Sequence, residues 1–353
     1  MQPAASSPAM NPEWRTLLEH HGAVFEAGHV RHFGNPEREL RATARGDVLV
    51  ELSPLSILRA HGEDAQSFLQ SQFSNDIRQV NETRSQLSAY CNPKGRMLAI
   101  LRIFRIGEAY CLQLPGTLAE ATLERLRMFV MRAKVKIDLA DTELLRVGLS
   151  GPNVQPMVIA VLGDAPAAAD DCLSVNGVTI LRLPGPYARF ELLAAPERLL
   201  ALWPQFVTQT TPVSVAAWAW LDIMAGIPNI LPGTVEEFVP QMTNLDLVGG
   251  VSFTKGCYPG QEIVARLHYL GRLKQRMLRA HVVTTEPPLP GTPVFASDLP
   301  GQSTGSVLDA QLSPDGGYDL LAVVHLSSRA AGTLHLTNNA GPRLTIHDLP
   351  YSE

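Results

Sequence analysis

Lys255-Gly256-Cys257-Tyr258-Pro259-Gly260-Gln261-Glu262 sets an ammonium, a thiol, a phenol, an amide and a carboxylate among three residues that shape the backbone. Gly256 and Gly260 can take positive φ or admit a close neighbour, and Pro259 fixes its own φ. The spacing therefore predicts a defined turn that presents Cys257 and Tyr258. Ile263-Val264-Ala265-Arg266-Leu267 predicts a helix or strand anchoring that turn. Arg266, His268, Arg272, Lys274 and Arg276 follow as a basic run. A charge run is most often a solvated face, but beside a Gly/Pro turn it implies a phosphate or carboxylate pocket. Arg266 would offer it a bidentate fork and Lys255 a point charge. Gln261 and Glu262 either hydrogen-bond a heterocyclic ring or cap local backbone.

Cys257 is either an inert core residue or a reactive thiol, and its polar neighbours favour the thiol. It could attack, ligate a metal transiently or carry a persulfide-like species. Cys91, Cys111 and Cys172 sit in or beside apolar segments and are expected to be buried. An accessible Cys257 outside any disulfide is expected. No triad partner is evident for Cys257, because His268, Asp222 and Asp246 would have to be brought together by the fold.

At 353 residues and 45% hydrophobic content the chain can bury a large core, in two or more packed units. A formal charge of −5 argues against a general nucleic-acid coat, so direct nucleic-acid binding is not an obligatory expectation. Without a CxxC pair or zinc-finger spacing, the four cysteines favour a reducing compartment and no stable intrinsic metal. No signal-type core or membrane-spanning run is evident, so the expected location is the cytoplasm.

Residues 1–11 are small and polar and predict a flexible N-terminus. A short helix is expected over 12–20 and an amphipathic helix over 62–73, where Ala65, Phe68, Leu69 and Phe73 recur at helical spacing. Strands are expected over 85–91, 97–104 and 110–114, with Asn92-Pro93-Lys94-Gly95 as one turn, followed by a helix over 118–132. Strands recur at 135–139, 144–150, 178–183 and 189–193, and helices at 196–206 and 215–225. That second helix would put Trp218 and Trp220 on different sides, one in the core and one in a groove or domain contact. The Pro- and Gly-containing connection over 226–250 predicts a chain laid across a cleft. Short alternating segments beyond Thr285 predict a small antiparallel barrel or sandwich. The expected organisation is α+β: a first α/β unit over 12–140, a second with the cysteine motif over 141–284, and a β-barrel over 285–353.

The octad, extended through Ile263-Val264-Ala265-Arg266 and Tyr269-Leu270-Gly271, resembles the YgfZ-type folate-binding proteins. These are relatives of the glycine-cleavage T-protein, the aminomethyltransferase, and of mitochondrial iron–sulfur assembly factors. Phe68-Leu69-Gln70, Phe73-Ser74-Asn75-Asp76, Pro93-Lys94-Gly95-Arg96, Ala225-Gly226-Ile227-Pro228 and Pro240-Gln241 extend the resemblance over roughly residues 48 to 345. It implies a T-protein-like fold, with two related antiparallel-sheet α/β units and a C-terminal barrel around a central cleft that takes tetrahydrofolate or a one-carbon derivative. It also implies an accessory role in maturation or repair of iron–sulfur proteins, including radical enzymes that thiolate tRNA, with assembly machinery or client enzymes as partners. Cys257, Lys255 and Tyr258 are the expected reactive group. Arg266, Gln261, Glu262, Met224, Trp218, Asn75 and Asp76 are the expected folate contacts. The chain departs from the T-protein at Ala99, near the position of its acidic residue for methylene transfer, and at Met224, where it has a folate-contacting glutamate. Both changes argue against aminomethyl transfer. The competing readings are a folate-dependent transferase or demethylase acting on a small amine, and an adaptor docking a client through its basic loop and Trp218 or Trp220.

Overall fold

The computed structural model describes residues 10–352. Most of the expected flexible segment 1–11 therefore lies outside the described residues. The chain forms two compact units whose segments interleave along the sequence. One comprises residues up to Ala65 with Gln79–Ser85 and Arg102–Leu221, and the other Gln66–Arg78, Gln86–Leu101 and everything from Asp222 onward. The expected division at residues 140 and 284 follows sequence order, whereas these units follow packing.

The first unit holds a six-stranded sheet, in the order Cys172–Val175, Val178–Leu183, Ala188–Ala194, Leu145–Gly151, Val48–Glu51 and Thr211–Val213. Val48–Glu51 comes from far upstream and pairs antiparallel with Leu145–Gly151 (Val48 opposite Ser150). The sheet of the later sequence half is thus completed by a strand of the earlier one. Helices Pro12–His20, Val154–Leu162 and Pro196–Val207 contribute Trp14, Val158 and Trp203 to the core over Leu149, Phe190 and Leu192. Asn11 starts the first helix by accepting from Trp14 N at 3.0 Å, with Pro12 at a position that needs no amide donor. A second layer of the unit runs from Arg102–Ile106 through Ala109–Pro115 and Leu55–His61 to Lys136–Leu139. Helix Gly116–Val130 lies in the same unit, close to the expected 118–132.

In the second unit, strands Gln86–Cys91 and Met97–Ile106 flank the Asn92–Arg96 turn, the later half of Met97–Ile106 running on into the first unit. The C-terminal sheet is antiparallel, in the order Leu334–Leu336, Pro293–Ala296, Ser303–Leu312, Tyr318–His325, Gln275–Val282 and Leu344–His347. Its two edge strands meet again, where Leu336 N donates to Pro342 O at 2.9 Å, so the sheet curls into a half-barrel. This sheet begins at Gln275, ahead of the expected boundary at Thr285. The 226–250 connection is irregular, as expected, with short 3-10 turns at Pro232–Thr234 and Pro240–Thr243. No helix among the described residues is long and apolar enough to cross a membrane.

Candidate functional site around Cys257

The octad forms a loop capping helix Gln261–Tyr269 in the second unit. Gly260 has φ +83°, and a Cβ there would stand 2.5 Å from Gly95 Cα and 2.6 Å from Asn92 O. The octad and the Asn92–Arg96 turn therefore touch backbone to backbone, which only glycine permits. Asn92 shapes that turn by accepting from Lys94 N and Arg96 N at 2.9 and 3.1 Å, and its amide donates to Glu236 Oε1 at 3.0 Å.

Lys255 points inward and is only 5% exposed. Its Nζ donates to the carbonyl oxygens of Gln70 at 2.6 Å, Phe73, and Asn75 at 2.9 Å, which accounts for all three ammonium donors. The ring of Tyr258 lies 5.2 Å away on another side. Burial pulls Lys255 down to about 8, and the Asp76 carboxylate opposes this. Lys255 is thus a clasp between the loop and the segment after helix Ala65–Gln70. Tyr258 is buried and its phenol is held neutral by desolvation, so it serves as packing around that clasp.

Asn75 belongs to the same clasp. Its amide donates to Leu87 O at 2.9 Å and Gly249 O at 2.6 Å, and its backbone N to Ser88 Oγ at 2.9 Å. Asp76 pairs with Arg78 at 2.6 Å, which holds its carboxyl near 2. The structure therefore brings Lys255, Tyr258, Asn75 and Asp76 together, with the Asn75 side chain and the Lys255 ammonium engaged by backbone.

Cys257 stands outside this packing: it is exposed, whereas Cys91, Cys111 and Cys172 are buried, and none is in a disulfide. Burial raises Cys91 and Cys111 to about 12 and Cys172 to about 11, so their thiolates are scarce at neutral pH. Brief alkylation at pH 7.5 followed by peptide mapping is expected to label Cys257 first; prior labelling of any of the other three would contradict this geometry.

The remaining expected residues divide. Gln261 Nε2 donates to Lys255 O at 3.3 Å, a local backbone contact, while Glu262 and Arg266 are exposed on the helix. Arg276 is committed to Asp246, with both guanidinium nitrogens at 3.1 Å from its carboxylate. His268 stacks on Phe253, ring centroids 3.7 Å apart. Of the basic run, Arg266, Arg272 and Lys274 are exposed. Met224 Sδ accepts from Arg279 at 3.3 Å.

Trp218 lies in the first unit, 3% exposed, with the Arg189 guanidinium 3.8 Å above its ring and Gly148 so close that a Cβ there would sit 2.5 Å from a ring carbon. Trp220 is buried as well, at 5% exposure. The helix Val215–Ala225 is apolar on nearly every side and is covered accordingly.

Trp218 leads to a cluster that motif reasoning missed. Glu191, 1% exposed, accepts from Gln113 Nε2 at 2.5 Å, and the charges of Arg146, Arg102 and Arg189 act on it. The available signal was the alternation in Ala188–Ala194, where Arg189 and Glu191 oppose Phe190 and Leu192 although the whole strand is buried beyond its first residue. Burial lifts Glu191 from 4.5 to about 7, so between those pH values the folded protein holds a proton that the unfolded chain has lost. Stability from this group is complete below pH 4.5 and declines as pH rises towards 7, by about 3 kcal/mol. Buried Asp309, lifted to about 7, acts in the same direction. Urea midpoints measured from pH 5 to 8 should fall less in Glu191→Gln than in the parent; an unchanged slope would disprove the assignment.

Comparison with known proteins accords with this arrangement. The GCVT N-terminal domain family matches residues 20–217. The tRNA-modifying protein YgfZ of Pectobacterium atrosepticum is 30% identical over 316 residues, covering 88% of this chain and 93% of the relative. The chain belongs to the YgfZ-type family. A second YgfZ relative, from Colwellia psychrerythraea, is 28% identical over 86% of this chain and 93% of its own length. The solved structure of the glycine cleavage system aminomethyltransferase T from Bartonella henselae superposes with a TM-score of 0.76 at 17% identity. It covers 98% of this chain and 99% of that one. The YgfZ-type chain thus has the T-protein fold, as its motifs implied.

Proposed function

We propose that the protein is a tetrahydrofolate-binding accessory factor that supports maturation or repair of iron–sulfur proteins, radical enzymes that thiolate tRNA among them, and that it acts in the cytoplasm through Cys257. The observation that carries the reading is the contrast within one loop: Lys255 and Tyr258 are buried to hold it, and Cys257 is left exposed. A rigid mount for an accessible thiol suits transient sulfur or metal chemistry with a second protein. The curated relatives carry a tRNA-modification name, which supports the choice of client.

Tetrahydrofolate is supported by the shared T-protein fold. Arg266 would receive the glutamyl carboxylate. Folate would supply one-carbon or redox chemistry; the chain's residues orient it and exclude water. Ala99 is fully buried and has no titratable group, which weighs against the amine-transfer reading. Calorimetry with tetrahydrofolate is expected to show saturable binding, weakened about tenfold in Arg266→Ala, a loss of about 1.4 kcal/mol. Absence of binding to the folded, ligand-free protein would remove folate from the proposal.

A further inference from the structure

Helix Gln261–Tyr269 and the segment after it present apolar side chains to solvent, although Ile263 also packs on Gly95 and Tyr269 on Phe253 and His268. Ile263 is 41% exposed, Tyr269 62% and Leu270 84%. Positions 263, 266 and 270 recur at helical spacing, so Ile263 and Leu270 share a stripe with Arg266. Arg272 and Lys274 extend it, and Glu262 is the exposed acid on this helix. A solvated helix face has no need of a leucine at such exposure, and a folate carboxylate has no need of three cations beside an apolar stripe. Tyrosine and arginine around apolar carbon are the residues that anchor protein interfaces.

We propose that this face is the docking surface for an acidic protein partner, whose apolar anchor seats on Ile263, Tyr269 and Leu270 while its carboxylates meet Arg272 and Lys274. Docking would bring the partner beside Cys257, which precedes the helix by a few residues; the helix itself is nine residues, about 14 Å long. The inference rests on the proposed use of Cys257 and names how its client is held. Charge complementarity selects the partner, since these cations are concentrated on a chain of formal charge −5. A single-stranded nucleic acid is the poorer fit. Phe253 and His268 stack on each other within 10° of parallel, and Tyr269 stands edge-on to both. The rings thus satisfy one another instead of offering an open slot for a base, and Ile263 and Leu270 would have no phosphate to meet.

Thiol–disulfide exchange at Cys257 tests this. The probe is a short peptide of glutamate and leucine with a terminal cysteine carried as its thionitrobenzoate mixed disulfide. The Cys257 thiolate attacks the peptide sulfur, a new S–S bond forms, and thionitrobenzoate leaves and is read by absorbance. Docking raises the effective concentration, so the acidic peptide is expected to react about tenfold faster than a lysine–leucine twin. The advantage should vanish in the triple variant Leu270→Ser, Arg272→Glu, Lys274→Glu. The triple variant should keep the parent rate with the neutral reagent iodoacetamide, which separates failed docking from a failed thiol. Equal rates for the two peptides, or a faster reaction with an oligouridylate bearing the same disulfide, would overturn the proposal.

Discussion

Lys255→Met should lower the unfolding free energy by about 3 kcal/mol, because it leaves the buried carbonyl oxygens of Phe73 and Asn75 and the part-buried one of Gln70 without donors, at about 1–3 kcal/mol each less whatever water recovers. Methionine matches the length of the lysine stem, so little packing is lost and the effect isolates the ammonium. The carbonyls lie on Gln70, Phe73 and Asn75, more than 180 positions upstream of Lys255 for the first two. This segment is also tied elsewhere, since Ser74 Oγ donates to Gly250 O at 2.7 Å and Ala89 N donates to Ser74 Oγ at 2.8 Å. Loosening Lys255 therefore frees the octad before it frees the sheet. Denaturant unfolding should show a lower midpoint with an unchanged slope, and amides near Asn75 and Lys255 should exchange faster than those of the C-terminal sheet. A change under about 1 kcal/mol would mean that the ammonium is dispensable and that Lys255 is available for chemistry after all.

What the sequence disclosed follows how local each signal was. Asn11-Pro12-Glu13 marks a helix start and the helix Pro12–His20 begins there. Asn35-Pro36-Glu37 carries the same signal, with Asn35 Oδ1 accepting from Arg38 N at 3.0 Å, yet the helix Pro36–Arg45 lacks the apolar stripe that would have drawn notice. Strand Val48–Glu51 pairs with Leu145–Gly151, joining residues about a hundred apart, and no local pattern encodes such a partner. At the site, the sequence marks Gly260 and Gly95 as turn residues, and only the fold brings them into contact. Lys255 shows the limit most clearly. Its place beside Cys257 points to a reactive group, while the side chain turns inward and spends its donors on a different segment. The exposed Cys257 and the three buried cysteines were legible, because apolar flanks report burial directly.

The second large effect concerns Cys257. Serine keeps the size and the backbone of the loop but lacks a thiolate, so it neither exchanges disulfides nor carries sulfur nor binds a soft metal. The side chain is exposed and takes no part in the Lys255 clasp, and the substitution should change stability by less than about 0.5 kcal/mol. Folate binding should also persist, since Cys257 is not among the residues expected to hold folate. Loss of function in a folded, folate-binding protein would therefore report the thiol alone. The decisive measurement is thiolated tRNA in cells whose own copy of this gene is replaced by the Cys257→Ser form at matched abundance. The account predicts thiolation reduced to the level of cells lacking the protein, while full thiolation by the serine form at normal abundance would contradict it.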